Sequence, residues 1–68
     1  MKVDVFKIEI TLGNDSMQTT GDVARALRTQ ADVLEARGLP GHGINHMRGV
    51  FDANGNVVGH SFLIKRQV

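Results

Sequence analysis

Two apolar runs, Met47 to Phe51 and Val57 to Ile64, flank Asp52-Ala53-Asn54-Gly55-Asn56. Asn-Gly between alternating hydrophobics is the strongest short-range hairpin signal, because a type I′ turn needs positive φ at both central residues. With Asn54 and Gly55 as those residues, Ala53 pairs with Asn56, Asp52 with Val57, Phe51 with Val58, Gly49 with His60 and Met47 with Phe62. One face then carries Met47, Gly49, Phe51, Val58, His60, Phe62 and Ile64. The other carries His46, Arg48, Val50, Val57, Ser61 and Leu63. The first set is the more apolar and is expected to form the core; a one-residue slip would reverse the assignment. The tail Lys65 to Val68 is expected to fray.

The rest of the chain must supply what this hairpin packs against. Val3 to Leu12 reads as a strand, with Phe6, Ile8, Ile10 and Leu12 on one face and Lys7, Glu9 and Thr11 on the other. Val3 and Val5 fall on the Lys7/Glu9 face. Gly13 to Gln18 is a turn-rich connection. Thr19 or Thr20 is the expected N-cap of a helix over Thr20 to Arg37; with Thr19 as cap, Asp22 closes a capping box. Val23, Leu27, Ala31 and Leu34 form the helix's apolar stripe, widened by Ala26 and Val33. Arg25, Arg28, Asp32 and Glu35 occupy the opposite side. Gly38 ends the helix, with Leu39 placed to seal its last turn and Pro40 preventing continuation. Pro40 to Gly43 is expected to be a flexible loop.

The order β-α-β-β with a right-handed crossover gives an α+β fold: a two-layer split β-α-β-β arrangement. Its sheet is three-stranded and antiparallel in the order 1-3-2, with one helix on one face. At 68 residues the chain is read as a single domain, 1–68. A domain of this size is marginally stable alone, and without cysteine no disulfide or thiolate zinc site can support it. Self-association is the expected extra support. The face away from the predicted core holds Val3, Val5, His46, Arg48, Val50, Val57 and Leu63, more apolar than a solvated face should be. These seven residues are the candidate interface. Two such sheets could pack face to face, or an edge strand could pair with its mate.

Eight Lys+Arg against seven Asp+Glu leave a net charge of +1, short of the basic excess of a dedicated nucleic-acid binder. Arg25, Arg28, Arg48, Lys65 and Arg66 are the residues a nucleic-acid-binding module would use. The three Phe residues point to the core in this reading, which removes the stacking platform single strands require. No apolar run reaches 18 residues, and the charged, alternating N-terminus is unlike a signal peptide, so no membrane span and a cytoplasmic location are expected.

Reactive constellations are equally thin. His42 and His46 are four apart but flanked by Gly41 and Gly43, unsuited to a helical metal site. Asp52-x-Asn54-Gly55-Asn56 superficially matches a calcium loop, yet the Gly comes too early and no Glu stands at the twelfth position. Gly41-x-Gly43 lacks the Lys-Ser/Thr ending of a phosphate loop. Asp15 and Asp22 already place negative charge where the helix N-terminus could otherwise take an anion. Ser16 and Ser61 have no nucleophile-elbow setting or evident base. No catalytic residue, metal or cofactor is expected.

Leu12-Gly13-Asn14-Asp15-Ser16-Met17, then Asp22-Val23-Ala24 with Leu27, then Asp52-Ala53-Asn54-Gly55-Asn56-Val57-Val58-Gly59 resemble a pattern of small bacterial proteins, "LGNDAM … DVA..L … D.NGN.VG". Ser16 stands where Ala is common, and the Gly-rich loop before the hairpin is longer. That set carries no assigned activity and lends no catalytic residue. Its frequent place on mobile elements implies an accessory protein, such as an inhibitor of a host defence complex. The combined expectation is a non-enzymatic protein-binding module acting as a homodimer on a protein partner.

Overall fold

A computed structural model of the chain describes residues 1–14 and 16–68. Asp15, expected to add charge at the helix start, lies outside the described residues. The elements are β1 (Lys2–Ile10), α1 (Thr20–Arg37), a 3-10 turn (Ile44–His46), β2 (Arg48–Phe51) and β3 (Val57–Gln67). The sheet is antiparallel in the order β1-β3-β2, so the fold is the expected α+β arrangement.

The helix has the expected bounds because its start is chemically specified. Thr19 Oγ1 accepts from Asp22 N–H at 3.1 Å, and Asp22 Oδ2 accepts from Thr19 and Gln18 N–H, both at 3.0 Å. These bonds satisfy N–H groups that have no partner within the helix. At the other end Gly38 takes a φ of 78°, where a Cβ would be strained, and donates its N–H to Leu34 O at 2.8 Å. Leu39, placed by the sequence to seal that end, is 60% exposed.

The hairpin turn differs in type from expectation. Gly55 N–H donates to Asp52 O (3.1 Å) and Asp52 N–H to Asn56 O (3.0 Å), with Gly55 at a φ of 81° and Asn54 at negative φ. This is a type I turn closed by a glycine bulge, one residue longer than the type I′ loop. Its local driver is Asp52, whose Oδ1 accepts from Asn54 and Asn56 N–H, both at 2.9 Å. A second bulge corrects the register: Phe51 pairs with Val57 while Val50 pairs with Gly59, leaving Val58 as the extra residue. From there onward Gly49 faces His60 as expected.

The face of the hairpin that meets the helix is the reverse of the one expected. Residues directly opposite in antiparallel strands share a face. β1 pairs Phe6 with Leu63, Ile8 with Ser61 and Ile10 with Gly59. The apolar inner face of β1 therefore drags Leu63, Ser61 and Gly59 beneath the helix, and Arg48 and Val50 with them. His60, Phe62 and Ile64 point away. Among the described residues the buried core is Met17, Ala26, Val50, Val58 and Leu63, with Ile8, Ile10 and Val23 packed around it. Between helix and sheet lies a polar link: Gln30, 3% exposed, donates Nε2–H to Gly49 O at 3.2 Å and accepts from Ser61 Oγ at 3.5 Å. The helix is correspondingly rotated. Ala26 and Gln30 are buried, whereas Leu27 is 44% exposed and Ala31 is exposed, although both were expected in the core.

Two segments expected to be loose are tied down. β3 continues to Gln67, opposite Lys2, and Met1 and Val68 exchange two backbone bonds of 3.1 and 2.8 Å. The loop after the helix buries Pro40, and its Gly41 O accepts from Leu63 N–H at 3.4 Å while His42 bridges to Leu63.

Candidate interaction surface

The sheet presents one covered face, one open face and two edges, and the candidate residues divide among them. Val3 and Val5 lie on the open face, where Val3 pairs with Arg66 and Val5 with Ile64. The same face carries Lys7 beside Phe62 and Glu9 beside His60. Val50 and Leu63 leave the candidate interface altogether: they are 0% and 8% exposed beneath the helix. Arg48 leaves it too, because its guanidinium Nη1 donates to Gly38 O, 2.8 Å away, at the helix C-terminus. That placement satisfies one of the last carbonyls and sets a cation against the negative end of the dipole. His46 sits in the 3-10 turn, its side chain packed so closely on Gly41 that a Cβ there would lie 2.8 Å from the His46 Cβ and 2.9 Å from its ring Cγ. Val57 is 54% exposed beside the turn.

Sequence reasoning missed Phe62, Ile64 and His60 as open-face residues. The available signal was the conflict between β1 and β3, each with an apolar alternation. The pairing Phe6–Leu63 makes those alternations point in opposite directions, so the sheet is apolar on both sides.

The five basic candidates do not form one stripe. Arg25 and Arg28 are exposed on the helix, Arg48 is engaged at Gly38, and Lys65 and Arg66, consecutive on a strand, project to opposite faces. Lys65 Nζ lies 2.7 Å from Asp4 Oδ1, and His42 Nε2 lies 3.0 Å from the same oxygen. The Lys65 bond, then the His42 bond, hold the Asp4 carboxyl below its ordinary value. The Thr19 N–H, then the Gln18 N–H, lower Asp22, and the Asn56 N–H leads in lowering Asp52. Each of these carboxylates is occupied by structural bonds.

An open concavity of about 540 Å³ lies between Leu12, Met17, Thr19, Thr20 and Val23. Among the described residues no titratable side chain lines it, and no three His, Asp or Glu side chains converge as metal ligands. Among the described residues, no helix is long and apolar enough to cross a membrane.

The two sheet edges differ in kind. The β2 side is closed by three groups from elsewhere: Gln30 on Gly49 O, Arg48 reaching Gly38, and Gly41-His42 lying along β3 at Leu63. β1 has nine residues and β3 on one side only. Its backbone directions follow from two anchors. Met1 exchanges both bonds with Val68, and Thr11 N–H donates to Val58 O at 2.7 Å. Hydrogen-bonded pairs alternate along an antiparallel ladder. The odd-numbered residues therefore bond inward to β3, and the N–H and C=O groups of Lys2, Asp4, Phe6, Ile8 and Ile10 face outward.

Compared with known proteins, the chain matches no family model, no curated protein and no solved structure.

Proposed function

We propose that this chain is a non-enzymatic protein-binding module that works as a homodimer, acting as an accessory or inhibitor of a protein partner. The observation that carries the reading is the distribution of apolar side chains. Among the described residues the buried core side chains are Met17, Ala26, Val50, Val58 and Leu63, with Pro40 also buried, and one of these is an alanine. Outside them, Leu12, Leu27, Leu39, Phe51 and Val57 are 44–62% exposed. A core of this size contributes little margin over the entropy of ordering 68 residues, and association is the usual remedy. Apolar surface on both sides of one sheet supplies places to bury. The open face, with Val3, Val5, Phe62 and Ile64, is the surface offered to the protein partner.

Sedimentation equilibrium over low to high micromolar concentrations tests the dimer. The expected result is a concentration-dependent rise to twice the chain mass. A single monomeric species across the whole range would overturn the reading.

A further inference from the structure

We infer that the chain dimerises through its β1 edge, two copies pairing antiparallel about a two-fold axis at Ile8 to form one continuous six-stranded sheet. This rests on the homodimer reading and names the surface that forms it.

Three observations converge on that edge. The first is the backbone. Phe6, Ile8 and Ile10 turn their N–H and C=O groups outward, and β1 is the long edge, uncovered among the described residues, that pairing requires. The second is the flank. On the helix side of β1, Phe6, Ile8 and Ile10 are half-buried rather than buried, Leu12 is 62% exposed, and Leu27 is 44% exposed one turn beyond Val23, which shares a concavity with Leu12. The helix lies closest to β2, so β1 keeps apolar surface that a neighbouring copy could cover.

The third is charge complementarity, which selects the register. A two-fold axis perpendicular to the sheet keeps each residue on its own face, so the two paired residue numbers sum to an even value. Centring on Phe6 sets Asp4 against Ile8 and Lys2 against Ile10. A centre at Lys7 sets the two Lys7 side chains against each other, and one at Val5 sets Asp4 against Phe6. At Ile8 every pair within β1 matches. Ile8 faces Ile8, Phe6 faces Ile10 on the helix side, and Lys7 faces Glu9 twice on the open side. All the backbone groups used are the outward ones, giving six hydrogen bonds. The same axis keeps both helices on one side, with their Leu27 flanks turned toward each other, and doubles the open face.

The test uses three full-length chains. The first, made by chemical ligation, carries N-methylisoleucine at position 8. It keeps the side chain and the β1–β3 ladder, because the Ile8 N–H is not used within one copy. The other two are Lys7→Glu and Glu9→Lys. The N-methyl chain is expected to dimerise at least about a hundredfold more weakly, since two central bonds are lost and methyl groups block approach. Lys7→Glu and Glu9→Lys are each expected to self-associate about tenfold more weakly, two attractive pairs becoming repulsive. Mixed together they are expected to form a heterodimer with the affinity of the unaltered chain, because both charge pairs are then restored. A dimer indifferent to N-methylation but abolished by Phe62→Lys would overturn the edge while leaving the homodimer intact. A monomeric unaltered chain would instead remove the homodimer reading itself. Weakened homodimers without heterodimer recovery would overturn the Ile8-centred register.

Discussion

The two edges of the sheet are made from strands of similar chemistry and meet different treatment. Along the β2 edge, side chains and loop backbone arrive from outside the sheet: Gln30 takes Gly49 O, Arg48 ties the strand to the helix end, and Gly41 takes Leu63 N–H. Along the β1 edge nothing of the kind arrives among the described residues, and five residues present backbone groups outward. A short strand of four residues is heavily guarded, while a strand of nine is left open. Exposed edges are normally blunted because they template pairing with other chains. Here the charges that would blunt β1, Lys7 and Glu9, are also the ones that would complement a second copy in the proposed dimer. The guarded edge contributes to the stability of one copy, and the open edge is the one that the proposed dimer would use.

The largest effect is expected at the seam both edges depend on. A Cβ on Gly59 would lie 1.8 Å from Glu9 O and 2.9 Å from Ile10 Cα, both backbone atoms. Gly59→Ala is expected to force β1 from β3 and destabilise by about 4 kcal/mol or more. Urea denaturation checks it, and an unchanged midpoint would contradict the close approach.

Removing the guard of the β2 edge comes next. Gln30→Ala leaves Gly49 O and Ser61 Oγ without their partner and opens space in a buried site. A loss of about 2–3 kcal/mol is expected. Gln30→Met fills the space and isolates the polar part, with a loss of about 1–2 kcal/mol. If the Met substitution were stabilising, the polar link would be replaceable by apolar packing. Arg48→Met is smaller again, about 0.5–1 kcal/mol, because one solvent-exposed hydrogen bond is lost. All three are expected to leave dimer affinity per folded chain unchanged, whereas the β1 substitutions shift it.

The smallest effect is acid sensitivity. Asp4, Asp22 and Asp52 all sit below the ordinary value of 3.8. Carboxylates lowered by folding contribute stability that is fully present above that value and lost as pH falls through the depressed folded values. Thermal midpoints are therefore expected to hold from pH 7 to about 4 and decline below it. Asp22→Asn and Asp52→Asn each flatten that decline. A midpoint that fell between pH 7 and 5 would point to a group other than these three.

Much of the fold was legible in the sequence because its signals are local. Thr19, Asp22 and Gly38 bracket the helix, and the Asp52-to-Asn56 stretch specifies a reversal whatever its turn type. The face of the hairpin was not legible, because it depends on pairing between residues more than fifty positions apart. Phe62 and Ile64 look like part of a core face until Phe6 is set opposite Leu63. Gln30 and Ser61 look like surface residues, yet they satisfy each other in the interior. The candidate interface divided along the same line: Val3 and Val5 kept their face, since β1 alone decides it, while Val50 and Leu63 moved inward. The charge pattern of β1 was visible in Lys7 and Glu9, but its meaning depended on knowing that β1 is the open edge.

Amide hydrogen exchange followed by NMR over a concentration series tests that asymmetry most directly. The Lys7 and Glu9 amides, bonded to β3, are expected to stay protected at every concentration. Phe6, Ile8 and Ile10 amides should become protected as concentration rises and exchange freely on dilution. Free exchange of those three amides at concentrations where the chain is dimeric would contradict it.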